Sequence, residues 1–162
     1  MAQKEKTAAE QKAYQQQLPK KRMGSGALFL DGAGRILLVE PSYKPVWEIP
    51  GGIVEEDESP KRCCRREVGE ELGLEAEIGR LLLVDYNTPT AAKTESLMFI
   101  FDGGVLSQAE IDRIKVDGEE LLSFRFFEPD RLPQNLSPAL GNRILAAYRQ
   151  RAEGGDTYFE NP

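Results

Sequence analysis

With 162 residues, 40% hydrophobic and 30% charged, the chain has the size and composition of one soluble globular domain with a core of its own. A formal net charge of −6 argues against a general nucleic-acid binder, and no apolar run is long enough to span a bilayer, so no membrane partner is expected. The absence of histidine excludes Ser-His-Asp and Cys-His catalysis, leaving carboxylates, cations and metals to carry any reaction.

Residues 1–22 form a basic helical arm, with Lys4, Lys6, Lys12, Lys20, Lys21 and Arg22 against Glu5 and Glu10. Its run TAAEQKAYQQQL is rich in helix formers, and Pro19 ends it. Such an arm either sits solvated outside the core or packs on a partner subunit. Ser25–Leu30 and Arg35–Val39 read as strands joined through the hairpin signal Asp31-Gly-Ala-Gly34. Pro41 to Pro45 is a loop that exposes Tyr43 and Lys44. The run Trp47-Glu-Ile-Pro-Gly-Gly52 reads as a short strand stopped by its proline and glycines, which also allow close backbone approach to a ligand.

Ser59 and Pro60 fit the N-cap and first position of a helix. Cys64, Val68 and Leu72 recur on one face, and Gly73 supplies the stop. Glu67, Glu70 and Glu71 are spaced i, i+3, i+4, which puts three carboxylates on one face. Stacked like charges gain nothing structurally, whereas a hard cation such as Mg²⁺ or Mn²⁺ suits oxygen donors. Cys63 and Cys64 are adjacent and cannot bridge each other without strain, so a reducing cytoplasmic setting is expected.

A strand follows, mainly Arg80–Tyr86, then a loop at 87–92 and a strand Glu95–Phe101 ended by Asp102-Gly-Gly104. Ser107-Gln-Ala-Glu110 resembles a capping box opening a short helix to about Ile114. Asp117-Gly-Glu-Glu120 is an acidic loop before the strand Leu121–Phe127. Ser137-Pro138 caps a last helix, Ala139 to about Arg151, with Leu140, Ile144, Leu145 and Tyr148 as its apolar face. Residues 152–162 read as a polar C-terminal tail, which leaves 23–151 as the domain.

The stretch Gly52 to Leu74, GIVEEDESPKRCCRREVGEELGL, resembles the signature of the Nudix hydrolases at each specified position: Gly52, Glu58, Arg66, Glu67, Val68, Glu70, Glu71, Gly73 and Leu74. The resemblance implies an α+β fold, an α/β/α sandwich around a mixed sheet, and metal-dependent hydrolysis of a nucleoside diphosphate linked to another moiety. By resemblance Glu67, Glu70 and Glu71 bind the metal with the carbonyl of Gly51, and Arg66 and Glu58 orient the glutamates. A carboxylate must serve as general base. Glu120 in the late acidic loop is favoured over Glu119, with Glu70 itself the other candidate and a merely solvated loop the plain alternative. Cys63 and Cys64 stand where the family has small residues, and buried cysteine packs as a small hydrophobe.

Tyr43, Lys44 and Trp47, on the approach to the motif, and Pro89 in the loop beyond it are the candidate substrate contacts. Pro89 lies near the position of a proline found in ADP-ribose pyrophosphatases, which points to ADP-ribose or another nucleoside diphosphate sugar. The alternatives are an (oxidised) nucleoside triphosphate pyrophosphohydrolase and a non-catalytic nucleotide-binding sensor module. The family commonly dimerises, so a homodimer is expected.

Overall fold

Strand β1 (Arg22–Leu30) runs through the middle of the fold and is buried from Gly24 to Leu30. Its side chains alternate between two cores, as the two-residue period of a strand requires. Ala27 and Phe29 face a cluster that contains Cys64, Val68 and Leu72. Leu28 and Leu30 face a second cluster with Leu140, Ile144 and Ala147. A strand covered on both faces reads as one continuous apolar run, which is how ALFL appears in the sequence.

In this computed structural model, which describes residues 7–161, seven strands form one mixed sheet. Its order is β6 (Leu121–Phe127), β2 (Ile36–Pro41), β1, β5 (Ser96–Val105), β4 (Leu81–Asn87) and β7 (Tyr158–Asn161), with β3 (Gly51–Ile53) also on β1. β1 pairs parallel with β5, and β4 parallel with β7; the other pairings are antiparallel. Helix α2 (Pro60–Leu72) packs on one face of the sheet and α4 (Pro138–Glu153) on the other. The expected α+β sandwich around a mixed sheet is the fold observed.

Several boundaries differ from those expected. Gly51 and Gly52 do not stop a strand; they form β3, lying against Gly26 and Ser25 of β1. Such close pairing needs glycine, since a Cβ on Gly51 (φ +147°) would lie 2.2 Å from the Ser25 carbonyl oxygen. Glu48 makes only an isolated bridge to Val39. β5 continues through Asp102-Gly-Gly104 because Gly103 makes room for Phe29, whose ring would lie 2.6 Å from a Cβ there. The helix after Ser107 closes early, as α3 (Gln108–Ile111).

At the C-terminus, the residues read as a polar tail carry β7. Gly154 and Gly155 take positive φ after α4 and turn the chain so that Tyr158 pairs with Val84. Arm helix α1 (Ala8–Gln17) has a capping box at Thr7 and no buried residue. Lys4, Glu5 and Lys6 lie outside the described residues.

Candidate active site

Helix α2 begins with the Ser59 side chain accepting from Arg62 N–H and ends at Gly73 in the left-handed conformation (φ 66°). Cys64, Val68 and Leu72 are fully buried, each large aliphatic side chain contributing roughly 1.5–3 kcal/mol. That anchoring turns Glu67, Glu70 and Glu71 toward β3 and the solvent edge. Glu71 accepts a 2.7 Å hydrogen bond from the Gly51 N–H, so β3 meets the carboxylate face through an amide of Gly51. Gly52 is required beside it: a Cβ there would stand 2.2 Å from Glu67 Oε1.

Arg66 organises the face. Its Nε and Nη2 form a fork on Glu58, at 3.0 and 2.9 Å, while Nη1 reaches Glu67 at 2.8 Å and Glu70 at 3.0 Å. Nη2 also donates to the Ile53 carbonyl at 3.4 Å. Glu58 is aimed by a tight turn in which Asp57 has positive φ (59°) and the Glu55 N–H donates to Glu58 Oε2 at 3.1 Å. The Arg66 hydrogen bonds hold the Glu58 carboxyl down at about 2. Burial pushes Glu71 the other way, up to about 8, with Glu67, Glu120 and Glu48 adding repulsion and the Gly51 N–H opposing it. Glu67 is also raised, first by burial. Two carboxylates that resist ionisation beside one fixed cation are what a further positive charge would relieve.

Among the described residues no three carboxylates are already gathered into a ligand shell, and Arg66 holds one oxygen of Glu67 and one of Glu70. The donor set nevertheless fits a hard divalent cation. It is all oxygen, it faces a glycine strand, and desolvation strains two of its members. The acidic loop lies beside it, since Glu120 adds to the repulsion on both Glu67 and Glu71. That loop is well fixed. Asp117 Oδ1 accepts from the N–H groups of Glu119, Glu120 and Leu121 at 3.0, 2.9 and 3.1 Å. Across from it, the Ser42 N–H donates to the Glu120 carbonyl at 2.9 Å.

A cleft of about 500 Å³ leads from Gly51, Gly52 and Glu71 across the sheet to α4. Tyr43 and Lys44 line it; Trp47 and Pro89 do not. Trp47 is only 7% exposed, packed edge-on against Phe127 at 5.1 Å with the Arg125 guanidinium 5.9 Å from its ring. Its bulk is part of the core, an outcome its apolar size allows as readily as a ligand contact. Cys63 and Cys64 are buried and burial pushes both thiols up to about 12, so neither supplies a thiolate nucleophile.

One wall of the cleft is absent from the sequence reading. Arg143, on α4, donates through Nε to Asp85 Oδ2 at 2.7 Å and through Nη2 to Asn87 Oδ1 at 2.8 Å. Asn87 and Arg143 line the cleft. The available signal was a charged residue one position before Ile144 on an otherwise apolar helix stripe, which periodicity alone treats as a surface residue.

The family model for the NUDIX domain matches residues 20–148. Over 114 residues, 70% of this chain and 68% of the relative, the sequence is 42% identical to a MutT-like protein of Streptomyces ambofaciens. Over 115 residues, 71% of this chain and 72% of the relative, it is 30% identical to a Bacillus subtilis (strain 168) protein provisionally named 8-oxo-dGTP diphosphatase. The fold is similar to that of a UDP-X diphosphatase crystal structure, with a TM-score of 0.73 at 23% identity over 95% of this chain and 76% of that one. The chain belongs to the Nudix family. It is accordingly a hydrolase acting on phosphorus-containing anhydride bonds; the family acts on nucleotide-derived small molecules and generally uses divalent metal ions. Among the described residues no helix is long and apolar enough to cross a membrane.

Proposed function

We propose that this hydrolase cleaves the diphosphate of a nucleoside diphosphate linked to a second moiety, with nucleoside diphosphate sugars as the substrate class. The supporting observation is the cleft. It extends from the carboxylate face to the α4 wall, so a diphosphate held at Glu71 leaves room along the cleft for a nucleoside. Pro89, the residue on which the ADP-ribose expectation rests, stands outside the cleft, so the class is kept and that member of it is not singled out.

Glu67, Glu70 and Glu71, with the Gly51 carbonyl, would hold Mg²⁺ or Mn²⁺, whose charge when bound polarises the phosphoryl group and neutralises the leaving phosphate. Arg66 fixes the rotamers of Glu67 and Glu70 from one side, and Glu58 fixes Arg66. Glu120 takes the proton of the attacking water as that oxygen bonds to phosphorus and the bridging P–O bond breaks. Asp117 and Ser42 hold the backbone that carries Glu120. Glu70 is the other candidate base, and comparing Glu120→Gln with Glu70→Gln separates the two.

A second reading follows from the sequence relatives, a MutT-like protein and one provisionally named for 8-oxo-dGTP: hydrolysis of a nucleoside triphosphate to monophosphate and pyrophosphate. A panel of nucleoside diphosphate sugars and (8-oxo) nucleoside triphosphates, assayed with Mg²⁺ and with Mn²⁺, decides by product. Monophosphate plus sugar phosphate supports the first reading; pyrophosphate release from triphosphates alone replaces it. The same reading carries a homodimer in the cytoplasm, and light scattering at assay concentration tests the assembly.

A further inference from the structure

Arg143 and Asp85 form an ion pair that is almost wholly enclosed, at 9% and 1% exposure. Removing two charges from water is costly, and such a pair adds little net stability over an apolar one. Its position on the cleft wall is therefore the informative fact. Asp85 Oδ2 takes both Nε and Nη2 of Arg143 at 2.7 Å, and Nη2 is shared with Asn87 Oδ1. Among the described residues Nη1 has no acceptor. Asn87 uses its carbonyl oxygen on Arg143, which fixes the amide flip and leaves its NH₂ as the remaining group on the cleft wall. The wall therefore offers hydrogen-bond donors from two side chains and no side-chain acceptor from either.

Asp85 also neutralises the guanidinium charge, so the wall is not an anion trap. What it suits is a neutral ligand edge with two acceptors. Apolar surface adjoins it: Leu140 precedes Arg143 by one helical turn, Met98 pairs with Asp85 across β4 and β5, and both line the cleft. A planar ring held between apolar surfaces, with acceptors turned to Arg143 and Asn87, gives both donors a partner.

We propose that Asn87 and Arg143 are the base-reading residues of this enzyme and select a 6-oxopurine over a 6-aminopurine nucleotide. A 6-oxopurine presents O6 and N7 as two adjacent acceptors, whereas adenine presents an N6 donor beside N7 and would place donor against donor. The inference rests on the reading of the cleft as a nucleotide site and deepens it by naming the base.

The test is calorimetric titration of the full chain, in Mg²⁺ buffer, with IMP and with AMP, which share ribose and phosphate and differ in the purine at N1 and C6. IMP should bind about tenfold or more tightly than AMP. Asn87→Asp keeps the acceptor for Arg143 but exchanges the free NH₂ for an oxygen, so it should lower IMP affinity and raise AMP affinity. An unchanged melting temperature would show that the Asn87→Asp fold is intact. Equal binding of IMP and AMP to the wild type overturns the base assignment while leaving the nucleotide site standing. Binding of neither overturns both. A preference for IMP that Asn87→Asp leaves untouched removes Asn87 from the assignment.

Discussion

The two ends of the cleft are built by opposite means. At the carboxylate end, Glu58, Arg66, Glu67, Glu70 and Glu71 lie within fourteen residues of sequence, and their ion pairs form along one helix and the turn before it. At the other end Arg143 meets Asp85 and Asn87, 58 and 56 residues away in sequence, and only the packing of α4 across β4 brings them together. The first end is partly exposed and its carboxylates crowd one another. The second is buried at Arg143 and Asp85 and internally neutral. Chemistry on a diphosphate calls for crowded charge that a cation can relieve, whereas reading a neutral base calls for fixed donors without net charge.

Substitutions at the two ends should therefore fail differently. The largest effect is expected from Glu70→Gln or Glu71→Gln, each lowering kcat by about 10³-fold while the circular dichroism spectrum stays that of the folded wild type. Turnover unchanged in both variants would remove the carboxylate face from the reaction. Next comes Arg143→Met, which strands Asp85 in a buried site and should cost about 3 kcal/mol of stability by urea denaturation. Adding Asp85→Leu should return most of that loss. If Arg143→Met costs nothing, the wall is wetter than its burial indicates. Arg66→Met should cost less stability than Arg143→Met, since Arg66 and its partners are less enclosed than Asp85, but it should reduce apparent Mg²⁺ affinity or kcat/KM by about 10–100-fold.

The same contrast explains what the sequence made legible. The site on α2 could be read because i, i+3, i+4 spacing fixes which side chains share a helix face, and because Ser59-Pro60 and Gly73 mark where that helix starts and stops. The sandwich was legible from apolar runs bounded by turn residues, with Leu121–Phe127 found at its observed limits. Tertiary pairings were not. β7 is a four-residue strand whose pairing depends on two glycines reversing the chain beside Gln150, and a stretch so short carries no periodicity. β3 was hidden because glycines that normally end strands here permit one to approach β1. An aromatic next to a loop, as Trp47 is, suits core and cleft equally, and only the contact with Phe127 assigns it to the core.

The smallest expected effect is the dependence of stability on pH at the carboxylate end. Glu71 is raised from the usual carboxylate value to about 8 in the folded chain, chiefly by burial. Below about pH 4.5 it is protonated whether folded or not and does not oppose folding. Between there and about pH 8 the folded chain still binds a proton that the unfolded chain has lost, so stability falls as pH rises, and the loss is complete above about 8. Glu58, held down at about 2 by Arg66, contributes in the opposite sense: its stabilisation is present above about pH 4.5 and is lost as pH falls toward 2. Across pH 5–8 only the Glu71 slope operates of these two, and in EDTA the melting temperature of the wild type should decline more steeply than that of Glu71→Gln. Mg²⁺ replaces the proton, so its addition should raise the wild-type melting temperature more at pH 8 than at pH 5.5. Parallel EDTA slopes in wild type and Glu71→Gln would mean that Glu71 is ionised and hydrated before any cation arrives, which would take away the strain that distinguishes this end of the cleft from the neutral wall at Arg143.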